Sequence, residues 1–150
     1  MQTLQGNILD IPEGIICHQV NCKGVFNAGL ARQIRDKYPL AYRHYIEVHN
    51  KTGLLLGKPF YGWVSDKLII YHLPAQYSFG RTGLHTDYNA LRECLETIVL
   101  KLIDLPKMPV HIPYNMGCGL GGGDWEIVSG IIEETLPDAI IVKLEKDTNK

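Results

Sequence analysis

The chain lacks any apolar run long enough to span a bilayer, and Met1 leads into no signal-like apolar segment, so neither a membrane span nor a leader is expected. It also lacks an excess of one charge. Fifteen Lys and Arg against 16 Asp and Glu leave a net charge of −1, which argues against nucleic-acid groove binding through a basic face. That balance leaves room for a single nucleotide held in a pocket. The cysteines are few, at 17, 22, 94 and 118, and form no C-x-x-C pair. Each falls inside an expected strand, loop or helix, so reduced thiols and a cytoplasmic setting are expected. The six histidines show neither H-x-x-x-H nor H-E-x-x-H spacing, so zinc is not expected, nor is any other metal or cofactor. Repeats, low-complexity tracts and linkers are missing too. With 45% hydrophobic and 21% charged residues, the 150 residues read as one ordinary domain.

What the chain does have is glycine in one place. Residues 117, 119, 121, 122 and 123 are glycine, between a β-branched segment at Val110 and a helical pattern of Ile127, Val128, Ile131, Ile132 and Leu136. Strand, glycine loop and helix together bring backbone N–H groups close to an anion. Glycine removes the Cβ obstacle, and the helix N-terminus adds unpaired donors and a partial positive charge. No Lys-Ser or Lys-Thr follows, so this is not a Walker-type loop, although Gly117, Gly119 and Gly122 fit G-x-G-x-x-G.

The remaining chain alternates strands and helices. Residues 1–5 and Ile15 to Val20 read as strands, with turns near Asp10 and at Glu13-Gly14. A loop of small residues, 21–29, leads into a helix that ends near Tyr38 because Pro39 follows. A second helical piece covers 40–50, with Gly53 as its stop. Phe60 to Val64 and Leu68 to Leu73 read as a strand pair turning at Ser65-Asp66, the second strand ended by Pro74. Thr86 is the expected N-cap of the longest helix, with Leu91, Leu95, Ile98 and Leu102 on one face. Pro106 and Pro109 separate that helix from the strand before the glycines. A last strand runs from Ala139 to Leu144, and the charged tail from Glu145 is expected to fray. This alternation predicts an α/β sheet with helices on both faces and a ligand in the crevice outside the strand carboxyl ends. The loops 21–29 and 116–123 both leave such ends.

Several of these pieces together resemble a macrodomain: Gly6-Asn7-Ile8-Leu9 after the first strand, Asn21 six residues before Asn27-Ala28-Gly29-Leu30-Ala31, and the Gly117–Gly123 loop. In order and spacing they cover nearly the whole chain. The run His18 to Cys22, with Tyr38-Pro39, Tyr45 and Leu56-Gly57-Lys58, is similar to the ADP-ribose-1″-phosphate phosphatase branch. Met116 to Leu120 followed by Trp125-Glu126 is similar to the branch that removes ADP-ribose from carboxylates or DNA. The resemblance implies a three-layer α/β/α sandwich around a central mixed sheet, with ADP-ribose or a phosphorylated or ADP-ribosylated derivative as partner. Asn7 and Ile8 would then meet the adenine, with Asn7 standing where the family usually has Asp. Asn21 would face the distal ribose, while Gly29 and Leu30 would approach the diphosphate or distal phosphate. Gly117, Cys118, Gly119, Leu120 and Gly121 would wrap the diphosphate from the other side.

The carboxylate- and DNA-directed hydrolases resembled here use a Lys just after the central strand and an Asp in the glycine loop. Ala75 and Gly121 take those positions on this reading, and no aromatic ends the last strand to stack on adenine. For catalysis three residues stand out, each with two readings. Asn21 orients water or holds ribose hydroxyls, or is a turn residue. His18 is a general acid or base, or a satisfied core histidine. Asp124 activates water, or caps the helix that follows it. Cys22 and Cys118 read as packing residues. The expected function is an ADP-ribose-binding domain that hydrolyses a distal-ribose substituent, of the ADP-ribose-1″-phosphate phosphatase type. A non-catalytic binder and an ADP-ribosyl hydrolase are the alternatives. A dinucleotide fingerprint at 117–122 with Glu145 on a ribose is a further reading.

Overall fold

The protein is described by a computed structural model covering residues 1–104 and 107–145. Pro106 and the tail beyond Glu145 lie outside the described residues.

Six strands form one mixed sheet. They are β1 (Gln2–Gln5), β2 (Gly14–Asn21), β3 (Phe60–Trp63), β4 (Leu68–Gln76), β5 (Val110–Pro113) and β6 (Ile140–Lys143), in the order β1-β6-β5-β2-β4-β3. All neighbours are parallel except the β3–β4 hairpin, which pairs Phe60 with His72 and Trp63 with Ile69. The central strands are apolar throughout because both of their faces are covered. Seven of the eight β2 residues and eight of the nine β4 residues are buried.

The helices are α1 (Gly29–Lys37), α2 (Pro39–Lys51), α3 (Tyr88–Leu102) and α4 (Trp125–Thr135). Leu91, Leu95 and Ile98 of α3 and Val128 and Ile132 of α4 pack with Ile15, Ile69 and Ile112 against one sheet face. Ile34 of α1 and Ala41 and Tyr45 of α2 pack with Ile16, Val20 and Ile70 against the other. This is the three-layer α/β/α sandwich, with both cores built by helix faces at period 3.6.

Two local expectations are corrected. Pro74 does not end β4, which continues to Gln76. β3 reaches only to His72 along its neighbour, so Pro74 sits past the end of that ladder, where its missing N–H costs no sheet bond. Its carbonyl accepts from Gly57 N–H at 2.8 Å on that side. The cap of α3 is Asp87, whose carboxylate accepts from Ala90 N–H at 2.9 Å, rather than Thr86. Thr86 is turned inward and committed to other partners.

Candidate functional site

The carboxyl ends of β2, β4 and β5 open into one cleft of about 830 Å³, within the size range of small-molecule and cofactor sites. Its walls are the two loops expected from sequence: Asn27 to Ala31 on one side, and Met116, Gly117 and Gly119 to Gly121 on the other. Phe79, Gly80 and Arg81, from the loop after β4, form a third wall.

Each loop wall presents backbone donors. The N-cap of α1 is Ala28, with no side-chain cap and no acidic residue in the first turn. Helices α3 and α4 are closed by Asp87 and Asp124. The first-turn amides of α1 are therefore left for something else, and that helix end carries partial positive charge. Gly29 itself has φ of 58° with no atom within 4 Å of an added Cβ, so glycine is there for backbone conformation. Across the cleft, the loop folds as successive turns. Cys118 N–H donates to Asn115 O at 2.9 Å, Gly122 N–H to Gly119 O at 3.0 Å, and Gly123 N–H to Gly117 O at 2.8 Å. Among the described residues, the amides of Gly117, Gly119, Leu120 and Gly121 make no such turn bond. The expectation that Cys118 offers its amide is thus corrected, because that N–H closes a turn and Sγ faces Met116 O at 3.4 Å. Burial, then the nearby Asp124 charge, pushes its thiol up to about 11, so it is not a thiolate nucleophile at neutral pH.

Asn21 lines the cleft at the end of β2, but its side chain is largely spent on its own loop. Oδ1 accepts from Lys23 N–H at 2.9 Å and Tyr45 O–H at 3.0 Å, and Nδ2 donates to Val25 O at 2.8 Å. His18 is 1% exposed, with Nε2 2.8 Å from His72 Nδ1 and Phe26 edge-on at 5.3 Å. Burial pushes His18 down to about 3 and, aided by His18 and His44, holds His72 well below the usual histidine range. His18 is a neutral core histidine at physiological pH, so it does not supply the imidazolium a general acid needs. Asp124 is the cap of α4, accepting from Glu126 N–H at 2.9 Å, and is not part of the cleft lining.

Asn7 and Ile8 also fall outside the lining. The Asn7 side-chain Oδ1 accepts from Leu9 N–H at 2.9 Å, capping the turn Ile8–Asp10, and Ile8 packs into the core at 6% exposure. Ala75 is buried within β4 rather than following it, and Gln76 is the residue that reaches the cleft. Neither position carries a lysine. Glu145 is likewise outside the lining, so the dinucleotide reading loses its ribose contact.

Other cleft residues were not among the site candidates from the sequence. Arg81 is the one lining side chain, among the described residues, that carries charge at neutral pH. Phe79, half exposed, and Tyr114 supply the aromatic surface that the end of β6 lacks. Gln19 Nε2 donates to Gln76 Oε1 and to Thr86 Oγ1, both at 2.8 Å, joining the ends of β2 and β4 beneath the cleft. Which side chains of the loop after β4 turn inward is visible only in the structure.

No protein-family model matches the chain. It is 25% identical over 139 residues, 91% of its length, to a DNA ADP-ribosyl glycohydrolase of Thermus aquaticus, and spans 38% of that protein. A shorter match, 42% identical over 59 residues, joins 37% of the chain to 33% of an ADP-ribose 1″-phosphate phosphatase of Saccharomyces cerevisiae. The macrodomain of Thermus aquaticus DarG superposes with a TM-score of 0.78 at 23% identity, covering 96% of this chain and 97% of that one. Thermosipho africanus DarTG in complex with ADP-ribose gives a TM-score of 0.80 at 19% identity, covering 97% of this chain and 42% of that one. With its six-stranded mixed sheet and helices on both faces, the chain has the macrodomain fold.

Proposed function

We propose that the cleft binds ADP-ribose, with the diphosphate between the open N-terminus of α1 and the amides of Gly119, Leu120 and Gly121. The observation that carries this reading is the pairing of two sets of uncommitted backbone donors across one cleft, while the other helix starts nearby are closed by aspartates. Charged hydrogen bonds from fixed amides are worth roughly 1.5–3 kcal/mol each, enough for a diphosphate to organise the ligand. The similarity to a structure in complex with ADP-ribose supports the same ligand. Phe79 offers a face for a base or for a group carried on the distal ribose.

Capture is the function this geometry favours. No carboxylate, lysine or thiol lines the cleft among the described residues, and its histidine is neutral. A second reading, hydrolysis of a phosphate on the distal ribose, draws on the partial similarity to ADP-ribose 1″-phosphate phosphatases and on Arg81. A phosphomonoester carries nearly two negative charges, which one guanidinium and several amides would hold. Water would attack phosphorus, the bond to the ribose oxygen would break, and the water proton would pass to the departing hydroxyl. The third reading, ADP-ribosyl hydrolysis from a macromolecule, draws on the Thermus aquaticus relative and would run without the lysine discussed above. Calorimetry with ADP-ribose tests capture, and phosphate release from ADP-ribose 1″-phosphate tests the second reading. Binding without release leaves capture as the function.

A further inference from the structure

Asn21 stands at the end of a central strand, where it lines the cleft and holds the 21–25 loop through its side-chain amide. Three donors converge on Oδ1: Lys23 N–H at 2.9 Å, Val25 N–H at 3.4 Å and the Tyr45 hydroxyl at 3.0 Å. Its lone pairs are therefore taken. Nδ2 gives one hydrogen to Val25 O at 2.8 Å and keeps the other. Turning the amide over would place Nδ2 against those donors and Oδ1 against a carbonyl, so its orientation is fixed.

Tyr45 comes from α2, on the far side of the loop, and is fully buried. Its hydroxyl lies 2.8 Å from the Asn21 carbonyl oxygen as well as 3.0 Å from Oδ1, with its single hydrogen shared between two acceptors of one residue. Phe26 at 4.8 Å and Phe60 at 6.3 Å between ring centres hold the ring in place. Burial pushes the phenol well above its ordinary range, so it is an O–H donor at neutral pH.

We infer that Tyr45 is a positioning residue: from beneath the cleft it fixes Asn21 so that the ligand meets one N–H and no lone pair. Resting on the ADP-ribose reading above, this sets what Asn21 recognises. It selects an acceptor, such as a ribose oxygen, and does not take a proton from a hydroxyl or from water. Water orientation through Asn21 Oδ1 is thereby ruled out, since that oxygen has no free lone pair.

The test is a double-mutant cycle read by calorimetry with ADP-ribose and with ADP, which lacks the distal ribose. Tyr45→Phe and Asn21→Ala should each weaken ADP-ribose binding about 5- to 10-fold, the scale of one hydrogen bond. The double variant should bind no more than about 2-fold worse than Asn21→Ala, because both changes act through one amide. Affinity for ADP should stay within about 2-fold in all variants, which general loss of packing would not allow. Additive losses, or equal losses for ADP and ADP-ribose, overturn the inference. On the unmutated protein, the Asn21 side-chain amide resonances should shift with ADP-ribose and not with ADP. Unmoved resonances on binding overturn the inference even where Tyr45→Phe folds poorly. If the unmutated protein binds neither ligand, the ADP-ribose reading itself fails, and this inference with it.

Discussion

Thr86 Oγ1 donates to the carbonyl oxygen of Gly117 at 2.7 Å, tying the start of α3 to the first turn of the glycine loop. The same segment holds the loop's far end, because His85 N–H and Thr86 N–H donate to Gly121 O at 2.7 and 3.0 Å. Gln19 Nε2 completes the anchor by donating to Thr86 Oγ1. The loop is thus fixed at both ends before ligand arrives, which lowers the ordering cost of binding.

Thr86→Val keeps the shape and removes the hydroxyl, leaving Gln19 Nε2 without one partner in a part-buried site. Stability should fall by about 1–3 kcal/mol and ADP-ribose affinity by about 10-fold. Urea unfolding and calorimetry on the same preparation measure both, and unchanged affinity would separate the anchor from the site.

Two glycines of this loop should behave differently. An added Cβ at Gly119 meets nothing within 4 Å, so Gly119→Val should fold normally and lose about 2 kcal/mol or more of ADP-ribose binding through obstruction of the approach to the amides. At Gly121 a Cβ would lie 2.6 Å from Gly117 O and 2.7 Å from Thr86 Oγ1, so Gly121→Ala should lower stability by about 1–3 kcal/mol. Thermal melts beside binding isotherms distinguish the two, and a stable Gly121→Ala variant would refute the packing described.

The layered fold was legible because hydrophobic period is a local property. Ile15 to Val20 and Leu68 to Leu73 read as strands, and Leu91, Leu95 and Ile98 as one helix face. Where local rules misled, a distant partner had decided the outcome. Pro74 is accepted because β3 stops short of it, and Thr86 yields the α3 cap to Asp87 because Gln19 and Gly117 claim its hydroxyl. The two walls of the cleft were legible as small-residue loops after strands. Its side chains were not, since whether Arg81, Gln76 or Asp124 faces the cleft depends on loop paths that no periodicity encodes.

The buried His18–His72 pair should make the fold acid-sensitive. Both pKa values are lowered in the folded protein, His18 to about 3, whereas unfolded histidines titrate near 6.5. Below that pH the unfolded chain binds the additional protons, so stability is lost as pH falls from about 6.5 toward 3. Each histidine contributes a slope of up to about 1.4 kcal/mol per pH unit. Urea unfolding at pH 7, 6 and 5 should show this decline, and a level profile would mean that the pair is not buried as described.

Arg81 should matter in proportion to charge on the distal substituent. Arg81→Ala should weaken ADP-ribose 1″-phosphate about 10-fold while changing ADP-ribose less, with the difference shrinking at higher salt. Parallel titrations at two ionic strengths measure it. Equal losses for both ligands would place Arg81 on the diphosphate instead.

The most direct measurement is a calorimetric titration of the unmutated protein with ADP-ribose, then with NAD, which adds nicotinamide to the same diphosphate and riboses. A cleft built around two sets of free amides and ending near the distal ribose predicts one saturable site for ADP-ribose and at least about 10-fold weaker binding of NAD, the cost of a misfitted group. Absence of saturable ADP-ribose binding, or equal affinity for the two, would contradict it.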